Sequence, residues 1–195
     1  MSPRSNLTKE AVVSAAADLL NTEGLEALSL HRLAGRLGIR TPSLYNHVDG
    51  LPGLRHELSL MNARNLAERL SEAAIGRSGP ELAMAVMRAY RSYIKEYPGL
   101  YLSTLRASGM QEEMRLDLEQ EEERSVRVGL AVMASFGLQG EDAIHAVRAL
   151  RSLVHGFATL EISGGFGMPL DLDESFTRMV GVFIVGLEKQ RQAQR

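Results

Sequence analysis

Apolar residues recur at helical spacing along almost the whole chain, and no stretch alternates apolar with polar residues between turn signals. β-branched residues are scattered rather than clustered. The expected fold is therefore all-α. Thr8 is placed to cap a first helix carrying Val12, Ala15, Ala16, Leu19 and Leu20 on one face, stopped near Gly24. Ser29 caps a short second helix with Leu30, Leu33, Ala34 and Leu37 inside. Thr41 followed by Pro42 reads as a cap and first helical position, opening a third helix to about Val48. A turn over Asp49 to Gly53 precedes a longer helix through Leu54, Leu58, Met61, Leu66 and Leu70. The break Ile75 to Pro80 starts a new segment striped by Leu82, Val86, Tyr90, Tyr93 and Tyr97 and ended by Pro98-Gly99. A short helix around Leu100 to Ala107 and a long one from about Gln111 to Phe136 follow. The acidic run Glu119 to Glu123 reads as a solvated face.

The last two helices, Glu141 to about Ile162 and Leu172 onward, are apolar on more than one side. A helix apolar around most of its circumference needs burial on most sides. One arrangement makes it the centre of a monomer. The arrangement preferred here buries the second face against another copy, giving a homodimer with a four-helix interface, where Gly181 and Gly186 permit close approach.

Composition narrows the function. The 195 residues suggest one large or two small domains. Cysteine is absent, which excludes thiolate metal sites and cysteine nucleophiles and fits a cytoplasmic location. No apolar run reaches the ~18 residues of a membrane span, and no signal-peptide pattern opens the chain. The formal net charge of −2 excludes a chain basic throughout, though not a local DNA-binding face. Residues 1–64 hold 7 Lys/Arg and 6 acids, with Arg32, Arg36 and Arg40 grouped around one turn.

The segment Leu30 to Val48 carries the functional signal. Two helices crossing steeply need a small residue at the crossing, which Ala34 supplies. The turn between them needs a residue at ease with positive φ, which Gly38 supplies. This is the spacing of a helix-turn-helix, whose second helix enters the DNA major groove. Arg40, Thr41, Pro42 and Ser43 sit at the end that faces base edges. Arg40 suits guanine, and Thr41 or Pro42 a thymine methyl. Tyr45, Asn46 and His47 follow one turn on, Tyr45 and His47 with donors suited to phosphate. For Tyr45, packing on the first helix is the alternative. Ser29, at a helix N-terminus, is a further phosphate candidate.

Residues 8–58 resemble the tetracycline-repressor-like family of transcriptional regulators, through LLNTEGLEALSLHRLAGRLG and the block TPSLYNHV. The rest resembles a C-terminal domain type named for a Trp-His-Gly motif. Leu153-Val154-His155-Gly156-Phe157, the Gly-rich linker and Asp173-Glu174-Ser175-Phe176 carry that likeness, with Val154 in place of Trp. The resemblance implies a homodimeric repressor that binds a palindromic double-stranded DNA operator and is released by a small molecule. Residues 1–50 would form the DNA-binding domain and 51–195 the ligand-binding and dimerisation domain. One departure stands out. The family usually places an Asn-Lys pair after the recognition helix, whereas this chain has Asp49-Gly50-Leu51. Weaker electrostatic anchoring is expected, with a slope of log affinity on log salt no steeper than about −8.

For the ligand, a mostly apolar pocket is expected near Met87, Tyr90, Leu105, Met114 and Phe157, suited to a small apolar or aromatic compound. Arg106, Arg151, Tyr93 or His155 are candidates to orient it. For His155 a core role bonded to a neighbour competes with ligand contact. The methionines Met84, Met87, Met110, Met114 and Met133 suit a loose pocket or an ordinary core equally. His145 and Asp142 read as an ordinary helix pair rather than a metal site, and no cofactor or enzymatic activity is expected. The Gly164 to Met168 stretch reads as a connector. The rival to a DNA-binding regulator is a helical ligand-binding or protein-interaction module without DNA binding.

Overall fold

In the computed structural model, residues 7–105 and 112–193 are described, with side chains to Gln190. Every regular element among them is helical: α1 (Lys9–Glu23), α2 (Leu30–Arg36), α3 (Thr41–Leu44), α4 (Gly50–Ala74), α5 (Gly79–Glu96), α6 (Pro98–Thr104), α7 (Glu112–Ser135), α8 (Gly140–Ile162) and α9 (Leu172–Ala193). A 3₁₀ turn at Leu25–Ala27 joins α1 to α2. No described helix is long and apolar enough to cross a membrane. The chain divides into two compact units. One comprises Met1–Ala63 and Tyr97–Glu119, the other Arg64–Glu96 and Gln120–Arg195.

The first unit is built on the expected caps. Thr8 Oγ1 accepts the Ala11 N–H at 3.2 Å and Ser29 Oγ the Arg32 N–H at 3.3 Å, each satisfying an orphan donor of a first turn. α2 ends in a Schellman turn. Ile39 N–H donates to the Ala34 carbonyl at 3.0 Å and Gly38 N–H to that of Gly35 at 3.2 Å, with Gly38 at φ 66°. Val12, Ala16, Leu20, Leu33, Ala34, Leu44, Leu54, Leu58 and Leu100 close one apolar core. α6 seals it from outside the N-terminal sequence. Gly99 lies so near α1 that a Cβ there would sit 2.0 Å from the Leu20 carbonyl oxygen. Asn21 Oδ1 accepts the Leu100 N–H at 2.9 Å.

Three local expectations need correction. Arg40, not Thr41, is the N-cap of α3, and Thr41 is its first helical residue. Ser43 N–H already donates to the Arg40 carbonyl at 2.9 Å, so the helix starts one residue earlier. The regular helix stops at Leu44 and continues to His47 as turns, with i→i+3 bonds such as His47 N–H to the Leu44 carbonyl at 2.9 Å. The expected turn at Gly50 to Gly53 is instead the first turn of α4. Gly53 N–H donates to the Asp49 carbonyl at 3.1 Å, and Pro52 loses nothing where its N–H would lack a partner.

In the second unit Met87, Tyr93, Ile94, Val132, Met133, Phe136, Val154, Ala158, Phe176 and Val180 are buried. Met87 and Met133 are fully buried; Met110 lies outside the described residues. The acidic run of α7 is not uniformly solvated. Half-buried Glu121 accepts from Arg64 Nε at 2.8 Å and Arg124 Nη1 at 3.2 Å, and the hydrogen bond from Arg64 leads in holding its carboxyl below the usual range.

Candidate nucleic-acid interface

Leu44, fully buried, pins α3 to the first unit's core, and this decides which neighbours point outward. Arg40, Pro42, Tyr45 and Asn46 are exposed, while Thr41, Ser43 and His47 are half-buried. Tyr45 is 60% exposed. None of the expected base-facing and phosphate-facing residues of this segment is buried. Ser29 stands apart at the start of α2, its hydroxyl already accepting from Arg32 N–H and still able to donate.

The arginines around the turn are not equivalent. Glu23, at the end of α1, pairs with Arg32 and lies 3.8 Å from Arg36 Nη1. Arg40 forms no ion pair among the described residues. The sequence reading grouped the three cations and missed Glu23, which nine residues separate from Arg32. Behind the recognition segment, Tyr45, Asn46, His47, Asp49, His56 and Glu57 help line a groove of about 220 Å³. Lys9 Nζ meets Glu57 there at 2.5 Å. His56 is buried, with its Nε2 at 4.0 Å from Asp117 and its Nδ1 without a hydrogen-bond partner among the described residues.

The candidate ligand residues divide between the units. Leu105, exposed, and Met114, half-buried, belong to the first. Met87 and Tyr90, buried, and His155 and Phe157, half-buried, belong to the second. Of the possible orienting groups, Tyr93 is buried, Arg151 is exposed, and Arg106 lies outside the described residues. Burial, followed by the nearby Arg151 charge, lowers the His155 pKa and favours its neutral form. Phe157 packs on Phe166 of the Gly-rich connector at 4.8 Å and edge-on to Phe176 of α9 at 5.2 Å. The Arg91 guanidinium lies 5.3 Å from the Phe157 ring centre and 4.8 Å from that of Phe176. Sequence spacing offered no signal for Arg91, because its partners Glu161 and Asp173 lie 70 and 82 residues away.

On α8 and α9, Ile144, Val182 and Val185 are exposed apolar side chains, Val182 by 76%. Ala149, Val182, Phe183 and Gly186 help line a groove of about 370 Å³ beside them. A Cβ at Gly181 or Gly186 would meet nothing within 4 Å.

Residues 83–183 match the sequence profile of the tetracyclin repressor-like C-terminal domain. The chain is 32% identical over 187 residues to the uncharacterized HTH-type transcriptional regulator YobS of Bacillus subtilis, covering 96% of each chain. It is 33% identical over 191 residues to the uncharacterized HTH-type transcriptional regulator Rv0681 of Mycobacterium tuberculosis, covering 95% of this chain and 84% of that one. Among solved structures, a TetR variant of Acinetobacter baumannii in complex with minocycline superposes with a TM-score of 0.68. That pair is 23% identical, with 95% and 99% of the chains covered.

Proposed function

This chain belongs to the tetracycline-repressor-like family of helix-turn-helix transcriptional regulators, and on that premise we propose that it represses from a palindromic operator as a homodimer released by a small molecule. It is a ligand-responsive DNA-binding regulator. The observation that carries the finer reading is the α3 surface, where buried Leu44 turns Arg40, Pro42, Tyr45 and Asn46 outward together.

Residues 1–50 contact DNA and 51–195 bind ligand and partner, in the cytoplasm and without catalysis. Arg40, Thr41, Pro42 and Ser43 read base edges; Ser29, Tyr45 and His47 contact the backbone, and Asn46 lies against the DNA beside them. The exposed apolar side chains of α8 and α9 support their role as the four-helix dimer interface. Two recognition helices about 34 Å apart then read half-sites one turn of DNA apart. The ligand is a small apolar or aromatic compound held near Met87, Tyr90, His155 and Phe157 of the second unit. A compound that binds better to the wrong spacing of the recognition helices weakens DNA binding by the same coupling factor. α4 carries the change, because it continues directly from the recognition segment.

A mobility-shift assay on the promoter region of the protein's own gene tests this reading. A retarded fragment, released by an apolar or aromatic compound that also raises the melting temperature, is expected. A folded dimer that retards no fragment at low salt would overturn it and leave a ligand-binding module.

A further inference from the structure

Glu23 holds two of the three arginines around the helix-turn-helix. One carboxylate oxygen pairs with Arg32 Nη2, and the other lies 3.8 Å from Arg36 Nη1. Arg32 and Arg36 are one turn apart on α2, so a single acid at the end of α1 reaches both. Arg40, beyond the Gly38 turn, is exposed and outside this cluster. The division follows position. The paired cations lie on α2, which in this motif crosses the phosphate backbone, and the unpaired one caps the helix that enters the groove.

We propose that Glu23 is a specificity-determining residue: it cancels one of the two charges that Arg32 and Arg36 bring toward phosphate and leaves Arg40 to act at base edges. This rests on the DNA-facing role given above to α2 and α3. Attraction to phosphate is blind to sequence, and each phosphate neutralised on duplex DNA adds about 0.9 to the slope of log affinity on log salt. With Glu23 between them, the two arginines carry a net charge of one rather than two. To take a phosphate an arginine must leave Glu23, and the freed carboxylate then faces the polyanion. What matters to a regulator is the ratio of specific to non-specific affinity, and cancelling backbone charge lowers the second more than the first. Exposed ion pairs add little to stability, so the fold does not require this acid.

The test compares Glu23→Gln with the wild-type full chain on two probes: a random-sequence duplex, and a duplex selected from a randomised library by the wild-type protein. The variant is expected to bind the random duplex about tenfold tighter at low salt, with a slope steeper by about 1 to 2 and a smaller selected-to-random ratio. Adding Arg32→Gln and Arg36→Gln to that variant takes the slope below the wild-type value, because the cluster then carries no charge. The same two substitutions in the wild-type background keep the proposal testable without altering Glu23. They remove two cations and leave Glu23 facing the polyanion in each subunit, and should flatten the random-duplex slope beyond its value in the triple variant, whereas a Glu23 remote from phosphate would leave the two slopes equal. If Glu23→Gln leaves slope and ratio unchanged in a protein that still discriminates the two duplexes, Glu23 is only a surface staple between α1 and α2. A folded wild-type dimer that binds neither duplex overturns the DNA reading itself, and this inference with it.

Discussion

Arg91 meets Glu161 side on, its Nε donating to one carboxylate oxygen at 2.7 Å and its Nη2 to the other at 2.8 Å, with both side chains only 9% exposed. The third nitrogen, Nη1, donates to Asp173 Oδ1 at 2.7 Å. One arginine of α5 thereby fastens the end of α8 and the start of α9, on either side of the Gly-rich connector. Two aromatic faces, Phe157 and Phe176, flank it. Lys95 Nζ adds a contact to Glu161 at 2.6 Å.

Removing the arginine leaves a buried carboxylate short of its main partner. Arg91→Ala should destabilise the fold by about 3 kcal/mol, the low end for breaking a buried pair, because Lys95 remains. Arg91→Lys should recover only part of this, since an ammonium cannot reproduce the fork of donors. Urea unfolding of the two variants checks both statements.

The same cluster sets an acid limit on stability. Burial pushes the Glu161 carboxyl up, but the hydrogen bonds and charges of Arg91 and Lys95 outweigh it and hold the pKa below the usual carboxylate range. The hydrogen bond and charge of Arg91 lower Asp173 likewise. A depressed folded-state pKa contributes stability that is complete above the unfolded value, about 4, and lost as pH falls through the folded value. Unfolding free energy should therefore fall on acidification below about pH 4, and Arg91→Ala should flatten that dependence.

Gly99 allows α6 to lie directly on α1. A methyl group there would sit 2.0 Å from the Leu20 carbonyl oxygen and 2.8 Å from the Asn21 nitrogen, both backbone atoms. Gly99→Ala should cost about 3 kcal/mol, at the upper range for overpacking, and lower the urea midpoint.

The proposed dimerisation through α8 and α9 makes a direct prediction at Val182. Val182→Glu would bury an unpaired charge at that interface and should give a folded monomer in sedimentation analysis, with operator affinity lost because half-site pairing is lost. A variant that stays dimeric would place the interface elsewhere.

On the proposed contacts of α3, Tyr45→Phe and His47→Ala should each lower operator affinity by about tenfold or more, the worth of one hydrogen bond to a charged phosphate. Titration of each variant against the operator duplex measures it. If both leave affinity unchanged, neither side chain contacts the backbone.

The all-helical class, the caps at Thr8 and Ser29 and the Gly38 turn were legible in the sequence because local rules govern them. A hydroxyl meets an N–H three residues away, a glycine takes positive φ, and the apolar stripe repeats each turn. The exposed face of α3 was legible for the same reason, as Leu44 and its neighbours lie on one short segment. Even here a one-residue ambiguity survived, since Thr41 is chemically a good cap while the backbone bond from Ser43 to Arg40 starts the helix earlier. What only tertiary structure decided were the pairings between distant segments: Glu23 with Arg32 and Arg36, Gly99 against Leu20, Arg91 with Glu161 and Asp173. Periodicity says which face of a helix is apolar, but not which helix it meets or which charge waits there. Those choices are made when side chains far apart in the chain compete for the same buried space and the same donors.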